Sequence, residues 1–513
     1  MSFVTFAQST PDKPAVIAAE SGEAIDFGRL DKQSRHLGRV LRQSLAEGAR
    51  VAVLMENIPA VYVAAWACRR SALRVVPVNW HLSRDEAIYI VTNSDAEALI
   101  VSPGLSDLAL EIAKAVPGLK MLLTSGEPFG PFVAIDAILA GEQPPSFGAE
   151  TEGSYMFYSS GTTGQPKGIL RPLTGAPFNA SLRVEEMMAS LFQFDDANVF
   201  YSPAPLYHAA PLTWSMGAQL LGGTTVLPRR FDAEATLAHI ERYRVTNAQF
   251  VPTHFVRMLQ LPEAVRAKYD VSSLRMVVHA AAPCPIDVKE KMLDWFGPVI
   301  YEYYGLSEGG GFTIVRPDEW VARKGTVGRS LTGPIHIVDD DGNDLPNGEV
   351  GHLMFENPES FEYHKEPDKT AEFFDAKGWS RPGDMGWMDE DGYLFLADRS
   401  SNMIISGGVN IYPQEAEAVL TLHPAIRDVA VIGVPDRDFG EAVKAVVELM
   451  PGIVASDALA SELIDYCRAR LSKFKCPKTV DFTESIPRLP TGKLLKRELR
   501  KRYWGDGPNQ IVA

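Results

Sequence analysis

Apolar and polar positions along roughly the first 150 residues follow two alternating patterns, one helical and one typical of buried strands. Phe27 to Ala46 repeats apolar residues at helical spacing, and Pro59 to Ser71 does so again with proline at the tolerated first position. Arg50 to Met55 and Arg74 to Asn79 are short apolar runs, typical of strands covered on both faces. This alternation predicts an α/β fold with a largely parallel sheet.

The pattern changes near residue 385. Gly383 to Leu396 has two strand-like pieces around Asp391-Gly392 and is typical of a hairpin. The polar stretch Asp398 to Asn402 follows as a candidate linker, and a compact helix and strand pattern occupies the rest of the chain. We therefore expect a large N-terminal multi-sheet α/β domain over 1–398 and a small α+β domain over 402–513.

Composition narrows the classes of partner. The 513 residues carry 50 Lys and Arg against 65 Asp and Glu, which gives a net charge of −15. An acidic chain without a long basic block lacks the electrostatic footprint of a general nucleic-acid binder, so we expect no nucleic-acid partner. One well-placed loop can still hold an anionic ligand against this background.

Cysteine use and hydropathy bear on the compartment. The four cysteines are too few for a disulfide scaffold and have no zinc-binding spacing, which favours a reducing environment. The longest stretch without Asp, Glu, Lys or Arg runs from Ala197 to Pro228 and is interrupted by prolines and glycines. The N-terminus lacks the pattern of a secretory signal. We therefore expect a cytoplasmic protein without integral membrane contact.

The strongest local signal is a loop rich in small and hydroxyl-bearing residues, which follows a strand-like run and ends in a lysine. Backbone N–H groups, hydroxyls and an ammonium in one loop suit phosphate. The spacing differs from that of a Walker A loop, and a plain surface turn is the alternative. The predicted phosphate contacts are Ser159, Ser160, Gly161, Thr162, Thr163, Gly164 and Lys167.

Four further motifs follow this loop along the chain: Tyr304-Gly305-Leu306-Ser307-Glu308, Gly383-Asp384, Asp398-Arg399 and Pro490-Thr491-Gly492-Lys493. With these motifs in this order, the chain resembles the adenylate-forming superfamily over almost its whole length. That superfamily comprises acyl- and aryl-CoA synthetases, beetle luciferases and the adenylation domains of nonribosomal peptide synthetases. Each motif alone is weak, whereas their order is specific.

The resemblance implies a two-step ligase. A carboxylate attacks the α-phosphate of ATP and releases pyrophosphate, and a thiol, here coenzyme A, then takes the acyl group from the adenylate. We therefore expect ATP, Mg²⁺ and coenzyme A as cofactors and a small-molecule carboxylic acid as substrate. A homodimer is one assembly that the resemblance leaves open. The alternative function is a stand-alone adenylation enzyme that loads a carrier protein in trans.

The resemblance also assigns roles at the nucleotide. Tyr304 is expected to stack on adenine beside Gly305, with core packing of the ring as the alternative. Asp384 would accept the ribose hydroxyls and Arg399 would add positive charge, against the alternatives of turn capping and a surface salt bridge. The other side of the base would face a slim wall, Ala280, Ala281, Ala282 and Pro283.

Three residues are expected to act on the reacting groups. By resemblance, the Ser307 hydroxyl contacts the α-phosphate in place of the commoner Thr, and the Glu308 carboxylate binds Mg²⁺. For Glu308 alone, an exposed carboxylate at a helix start is the alternative. Lys493 would bridge the acid carboxylate and the α-phosphate, since a long flexible ammonium suits both. An exposed lysine in a basic helix is the alternative.

The resemblance further implies that the small domain is mobile. The loop that faces coenzyme A, with Gly407 and Gly408, lies on the same domain as Lys493, and both cannot face the active site together. Rotation about a hinge at 399–401 would alternate them. Ser401 and Asn402 stand where many members carry charged residues, which puts in doubt the salt bridge that steadies one state.

The acid pocket is the least determined part of the site. Tyr207 and His208 match an aromatic–histidine pair near the carboxylate, with a structural histidine as the alternative. No Asp or Arg is obviously placed for a second charge, so we expect an apolar acid: a medium or long fatty acid or a bulky ring-bearing one. The expected pocket comprises Tyr207, His208, Trp214, Gly305, Gly309, Gly310 and Phe312.

Overall fold

The computed structural model describes residues 2–159, 165–179, 183–488 and 494–504. Its internal contacts divide the chain into two units, which are described separately. The first unit comprises Met1–Phe250, Gln260–Val278 and Ser360–Thr370, and the second comprises Val251–Leu259, His279–Glu359 and Ala371–Ala513.

The strands in chain order are β1 (Pro14–Ala18), β2 (Ala24–Asp26), β3 (Arg50–Leu54), β4 (Arg74–Pro77), β5 (Ala96–Val101), β6 (Met121–Thr124), β7 (Val133–Ala134), β8 (Ser154–Ser159), β9 (Lys167–Leu170), β10 (Val199–Tyr201), β11 (Thr224–Leu227), β12 (Asn247–Phe250) and β13 (Met276–His279). They continue as β14 (Ile300–Gly305), β15 (Phe312–Val315), β16 (Arg329–Ser330), β17 (Ile335–Val338), β18 (Gly351–Phe355), β19 (Glu362–Tyr363), β20 (Asp384–Met388), β21 (Leu394–Arg399), β22 (Ile404–Ser406), β23 (Val409–Ile411), β24 (Ile426–Asp436), β25 (Gly440–Leu449) and β26 (Thr479–Thr483).

The helices are α1 (Phe3–Ser9), α2 (Phe27–Ser44), α3 (Ala60–Arg69), α4 (Arg84–Asn93), α5 (Ser106–Ala115), α6 (Ile135–Ala140), α7 (Arg183–Leu191), α8 (Ala209–Leu220), α9 (Ala233–Tyr243), α10 (Pro252–Leu259), α11 (Glu263–Arg266), α12 (Ile286–Phe296), α13 (Pro317–Ala322), α14 (Pro367–Phe373), α15 (Pro413–Leu420), α16 (Asp457–Arg468) and α17 (Lys496–Trp504). Capping fixes several starts. The Asp26 carboxylate accepts from the backbone N–H of Arg29 at α2, and Ser83 and Glu86 form a capping box at α4.

The first unit contains an eight-stranded sheet in the order β19-β9-β8-β4-β3-β5-β6-β7. Its strands from β8 to β7 run parallel, while β9 pairs antiparallel with β8 and with β19. In β3, Val51 to Leu54 are all buried, which explains the continuous apolar run in the sequence. A second group of strands, β12-β10-β11-β1-β2, is parallel except for the β1–β2 pair.

The second unit contains antiparallel strands β14, β15 and β16 and a four-stranded antiparallel sheet, β17-β18-β20-β21. The predicted hairpin is confirmed as β20 and β21, joined across Asp391-Gly392. A further sheet, β23-β22-β25-β24 with β26 beside β25, packs with helices α15, α16 and α17. The predicted architecture, a multi-sheet α/β part followed by a small α+β part, is confirmed.

The two contact-defined units do not follow the predicted domain boundary, because the chain passes back and forth between them. Strand β21 runs through the start of the predicted hinge to Arg399, and a short 3₁₀ turn covers Ser400–Asn402. The boundaries at 398 and 402 stay predictions. Among the helices of the described residues, none combines the length and the apolar character that crossing a bilayer requires.

A buried ionic network fixes the elements around the phosphate loop. On α3, Arg69 Nε donates to Glu152 Oε2 at 2.7 Å, and Nη1 donates to Glu185 Oε1 at 2.8 Å. All three side chains are at most 3% exposed. Glu152 lies just before β8 and Glu185 lies on α7, so one guanidinium joins three separate segments.

We expect Arg69→Met to lower the free energy of unfolding by about 3–5 kcal/mol, because two buried carboxylates lose their counter-ion. Urea unfolding followed by tryptophan fluorescence measures the change. Arg244→Met is the matched control, since Arg244 pairs with Asp270 at the surface, and we expect it to unfold like the unmodified chain. Equal urea midpoints for the two variants would contradict this account of the network.

Candidate active site

Three of the predicted nucleotide residues meet in the second unit. Tyr304 lies near the end of β14, and Asp384 and Arg399 face each other across the β20–β21 hairpin. Tyr304 Oη donates to Asp384 Oδ2 at 2.5 Å, and Arg399 Nε forms an ion pair with Asp384 Oδ1 at 3.1 Å. Asp384 begins β20 and is paired with Arg399 on β21, which fixes its direction relative to Arg399.

The electrostatics of this group keep the phenol protonated. Burial, together with the negative charge of Asp384, raises the pKa of Tyr304 well above its usual value. Its ring lies 6.2 Å from the ring of Phe355, nearly parallel to it, so one face is packed and the hydroxyl is engaged. Asp384 is 8% exposed and has further acceptor capacity on both oxygens. The group can therefore offer a fixed acceptor to paired hydroxyls.

The predicted base wall has an unusual backbone. Ala281 has φ of +74°, a left-handed conformation that is costly for a residue with a side chain. It follows strand β13 after a single residue, and its side chain is exposed. Non-glycine residues in such conformations cluster at ligand-binding and active sites. Ala282 is half-buried and Pro283 is exposed, so the segment presents small surfaces outward.

Ser307 and Glu308 lie in the turn after β14. Ser307 is exposed and Glu308 is half-buried, and the described chain starts no helix there, so the helix-start alternative for Glu308 is wrong. The negative charge of Glu308 makes a small contribution to the raised pKa of Tyr304, after burial and Asp384.

This turn fits Mg²⁺ only as a metal shared with a substrate. Within the described residues, no three His, Cys, Asp or Glu side chains group as a metal site. Mg²⁺ commonly binds one or two carboxylates, several waters and substrate phosphates, so a single carboxylate beside a hydroxyl is compatible with it. Glu308 would hold the ion beside the Ser307 hydroxyl, and the ion would neutralise phosphate charge there.

The phosphate loop is framed by a hairpin of the first unit. Ser159 ends β8, Lys167 begins β9, and the two residues are paired across the antiparallel strands. Lys167 Nζ lies 4.9 Å from the centre of the Tyr363 ring, which holds the ammonium beside an aromatic face. Five of the predicted contacts lie outside the described residues: Ser160, Gly161, Thr162, Thr163 and Gly164.

The glycines predicted for the acid pocket have packing reasons as well. A Cβ at Gly305 would lie 2.9 Å from Phe312 Cδ2, and one at Gly310 would lie 2.8 Å from Phe373 Cζ. Phe312 stacks on Tyr303 with ring centres 5.0 Å apart. Gly309 lies in the same turn region with φ of +79°. A side chain at Gly305 or Gly310 would displace a phenyl ring, whatever part the two glycines take in a pocket.

Trp214 is a core residue of the first unit. It lies on α8, is 2% exposed, and makes edge-to-face contacts with Phe192 and Phe194 at ring distances of 4.9 and 5.9 Å. A role as pocket wall would have to use the small exposed fraction of this side chain.

Tyr207 and His208 come together with a residue that the sequence pattern did not single out. The two rings lie 4.4 Å apart at the start of α8, and the His81 ring lies 6.4 Å from Tyr207. His81 follows β4 and Tyr207 follows β10, so segments that follow two different strands meet here. Trp80 Nε1, Tyr207 Oη and His208 Nε2 are buried without a hydrogen-bond partner among the described residues. The Trp-His pair just past a predicted strand was the available signal.

The predicted coenzyme A loop is a two-residue hairpin turn between β22 and β23. Gly407 and Gly408 have φ of +58° and +81°, the pair of left-handed conformations that such a turn requires. Gly407 N–H donates to the carbonyl of Phe439 at 2.7 Å. Phe439 is 50% exposed, and Lys478 Nζ lies 4.2 Å from its ring centre. Lys493 lies outside the described residues.

The fold and the site define an enzyme of the adenylate-forming type, an acid–thiol ligase of the acyl- and aryl-CoA ligase class. Family models match over most of the chain: "AMP-binding enzyme" over residues 3–362 and "AMP-binding enzyme C-terminal domain" over residues 415–493. The chain therefore belongs to the AMP-binding enzyme family, and the resemblance found in the sequence is confirmed.

Individual relatives agree over nearly the whole chain. A feruloyl-CoA synthase of an Amycolatopsis species is 34% identical over 97% of this chain and 97% of its own. The fatty acid–[acyl-carrier-protein] ligase ScoC of Streptomyces coeruleorubidus is 31% identical over 98% of this chain and 96% of its own.

Solved structures agree as well. The amide bond synthetase McbA of Marinactinospora thermotolerans has a TM-score of 0.82 at 29% identity, over 98% of this chain and 99% of its own. ATP-bound MatB of Rhodopseudomonas palustris has a TM-score of 0.80 at 27% identity, over 98% and 99%. Family membership implies the use of ATP and coenzyme A, while the roles of individual site residues stay predictions.

We expect the burial of neutral His208 to lower the free energy of unfolding at acidic pH. Burial lowers the pKa of His208 from its usual value to about 3, with a smaller contribution from nearby His81. As pH falls below about 6.5, the unfolded chain binds a proton at His208 that the folded chain does not, so stability is lost from there down to the folded pKa. At pH 5, this loss reaches up to about 2 kcal/mol.

Urea unfolding of the unmodified chain and of His208→Gln, each at pH 8 and pH 5, measures this contribution. The variant should lose less stability between the two pH values, because glutamine does not titrate. Parallel losses in the two proteins would contradict a neutral buried His208. The measurement at pH 8 is the internal control for the packing change itself.

Proposed function

We propose that the protein is an AMP-forming acid–CoA ligase for an apolar carboxylic acid, either a medium or long fatty acid or a bulky ring-bearing acid. The observation that carries the nucleotide part is the group of Tyr304, Asp384 and Arg399, in which one buried carboxylate is fixed from two sides. Such a group suits a ribose with an adenine ring beside it.

The first half-reaction joins the acid to AMP. A carboxylate oxygen of the acid attacks the α-phosphorus, the bond to the bridging oxygen breaks, and pyrophosphate leaves with its electrons. Because two anions must approach each other, this step needs fixed positive charge and donors. Lys167 and the hydroxyl loop would receive the β- and γ-phosphates, Ser307 the α-phosphate, and Lys493 the acid carboxylate together with the α-phosphate.

The second half-reaction transfers the acyl group. The thiol sulfur of coenzyme A attacks the acyl carbon, AMP leaves, and the thiol proton is released. The Gly407–Gly408 turn would admit the thiol arm, since nothing lies within 4 Å of a Cβ built at Gly408. Exposed Phe439 with Lys478 beside it offers an aromatic face and a cation near this turn, which suits a nucleotide bearing phosphates.

We infer that the chain comprises a large domain over 1–398, a hinge over 399–401 and a small domain over 402–513. Lys493 and the Gly407–Gly408 turn belong to one small domain, so the two half-reactions require two orientations of it. Mg²⁺ at Glu308 belongs to the proposal too. The cytoplasmic location and the homodimer stay predictions.

The apolar acid class has two kinds of support. The residues around Tyr207 and His208 are aromatic, and burial keeps His208 uncharged at neutral pH, so it can orient an acid by a hydrogen bond. Relatives named for such acids include the feruloyl-CoA synthase and the long-chain-fatty-acid–CoA ligase FadD13 of Mycobacterium tuberculosis, the latter 29% identical over 97% of this chain and 97% of its own.

Carrier-protein loading is the second candidate, and the similarity to ScoC is the observation that favours it. ATP–pyrophosphate exchange over a panel of aliphatic, aromatic and alicyclic acids identifies the acid. Thioester assays of that acid with coenzyme A and with a phosphopantetheinylated carrier protein then identify the acceptor. Turnover with coenzyme A at least as efficient as with the carrier supports the proposal, and turnover with the carrier alone rejects it.

We expect Lys493→Ala to abolish adenylation and largely to spare thioester formation from supplied acyl-adenylate. The reason is that the ammonium acts on the carboxylate and α-phosphate, which have already reacted in the adenylate. ATP–pyrophosphate exchange and a thioester assay measure the two steps separately. Exchange at the level of the unmodified enzyme would rule out the role given to Lys493.

We expect Gly408→Leu to impair the coenzyme A step more than adenylation. Gly408 has φ of +81°, so a branched residue strains the turn and fills the approach to it. Gly378→Leu is a matched control, because Gly378 has φ of +80° and is likewise uncrowded, but it belongs to a different turn. Equal losses of both half-reactions in Gly408→Leu would count against this role of the turn.

A further inference from the structure

One buried carboxylate gathers contacts at the start of the predicted hinge. Asp398 Oδ1 accepts from Asn402 Nδ2 at 2.9 Å, and Oδ2 accepts from the backbone N–H of Gln414 at 3.2 Å. The side chain is 7% exposed. Asp398 lies on β21, whereas Asn402 ends the hinge turn and Gln414 lies on α15, so these contacts cross the hinge.

A lysine of the last helix completes this group. Lys496 Nζ lies 3.6 Å from Asp398 Oδ2 and 2.9 Å from Glu417 Oε1. Glu417 Oε1 also accepts from the backbone N–H of Val431 at 2.7 Å. Lys496 is only 9% exposed, and burial of one ammonium with two carboxylates is costly unless their geometry is good.

The position of Lys496 is electrostatically unfavourable unless anionic partners lie beside it. It is the first residue of α17, where the helix dipole disfavours a positive charge. Two carboxylates brought there by β21 and α15 offset that cost. The charge pattern of the helix start is therefore explained by the contacts with Asp398 and Glu417, not by the helix itself.

Arg500, one turn after Lys496 on α17, also contacts the hinge. Arg500 Nη1 donates to the backbone carbonyl of Ser401 at 3.1 Å, and Nη2 lies 3.2 Å from Glu441 Oε1. Rotation about the backbone of Ser401 redirects that carbonyl, so the contact is specific for one hinge conformation. Lys496 and Arg500 are four residues apart and thus lie on one face of α17.

We propose that Lys496 and Arg500 are positioning residues for adenylation, which anchor α17, and with it the preceding Lys493 segment, to Asp398 and to the hinge at 399–401. The inference rests on the role proposed for Lys493. Three residues of chain span at most about 11 Å, so the anchor limits how far Lys493 can move from the hinge. The contacts also bear on the hinge salt bridge that Ser401 and Asn402 put in doubt. Asn402 donates a hydrogen bond to Asp398, and Lys496 forms an ion pair with the same carboxylate.

The test uses the full chain, the best acid of the panel and three variants at Lys496. In Lys496→Met, kcat for ATP–pyrophosphate exchange should fall by about tenfold or more, since small misplacements of a reacting group have large effects. The KM for ATP and thioester formation from supplied acyl-adenylate should each change by less than about threefold. Lys496→Arg should restore much of the exchange rate, because it keeps the charge.

Unpaired carboxylates could unfold Lys496→Met, so Lys496→Met/Glu417→Gln removes one of the two negative charges as well. It should show the same split between the half-reactions, with a melting temperature close to that of the unmodified chain. Arg500→Met should show the split more weakly. Lys501→Met is the control on the same helix, since Lys501 pairs only at the surface with Glu498, and it should leave both half-reactions unchanged.

The outcomes distinguish a failure of the positioning role of Lys496 from a failure of the role proposed for Lys493. Equal losses in both half-reactions, or unchanged exchange in the Lys496 variants, overturn the positioning role while leaving the ligase assignment intact. Unchanged exchange in Lys493→Ala overturns the role of Lys493, and with it the reason for the anchor. A selective loss of exchange in both Lys493→Ala and Lys496→Met supports the proposal.

Discussion

Among the described residues, the buried charges around the candidate site lie in groups of opposite charge, and the site depends on that constraint. Removal of an ion from water costs several kcal/mol unless partners replace the lost hydration. Arg69 therefore binds two carboxylates around the phosphate-loop strands, and Asp384 binds a phenol and a guanidinium. Each group joins segments that are distant in sequence. Charge pairing therefore holds these segments in place and also supplies the charged groups of the site.

Much of the fold could be predicted because its signals are local. Strands covered on both faces appear as continuous apolar runs, as at Val51 to Leu54, and a two-residue Asp-Gly step at 391–392 specifies a hairpin. The nucleotide residues were found by resemblance rather than by pattern. Tyr304 and Asp384 are 80 residues apart, and no period in the sequence indicates that their side chains meet.

The rest depends on long-range packing, which a single sequence does not display. Gly310 is explained by the ring of Phe373, and Tyr207 has a neighbour in His81, although each pair is far apart along the chain. Likewise, the basic start of α17 looks like a surface helix in sequence. Only the approach of Asp398 and Glu417 shows that Lys496 is buried. Such contacts arise from topology, so sequence reasoning missed them for a physical reason.

The two-sided hold on Asp384 has a consequence for nucleotide choice. A carboxylate held by Tyr304 on one oxygen and by Arg399 on the other cannot turn to follow its ligand. If it receives the ribose, the sugar must bring both hydroxyls to a fixed acceptor. A 2′-deoxynucleotide would leave one carboxylate acceptor without a hydrogen-bond donor. The free-energy cost then includes the desolvation of that acceptor as well as the lost hydrogen bond. Discrimination between ribo- and deoxyribonucleotides would then be a property of the β20–β21 hairpin, set before any substrate arrives.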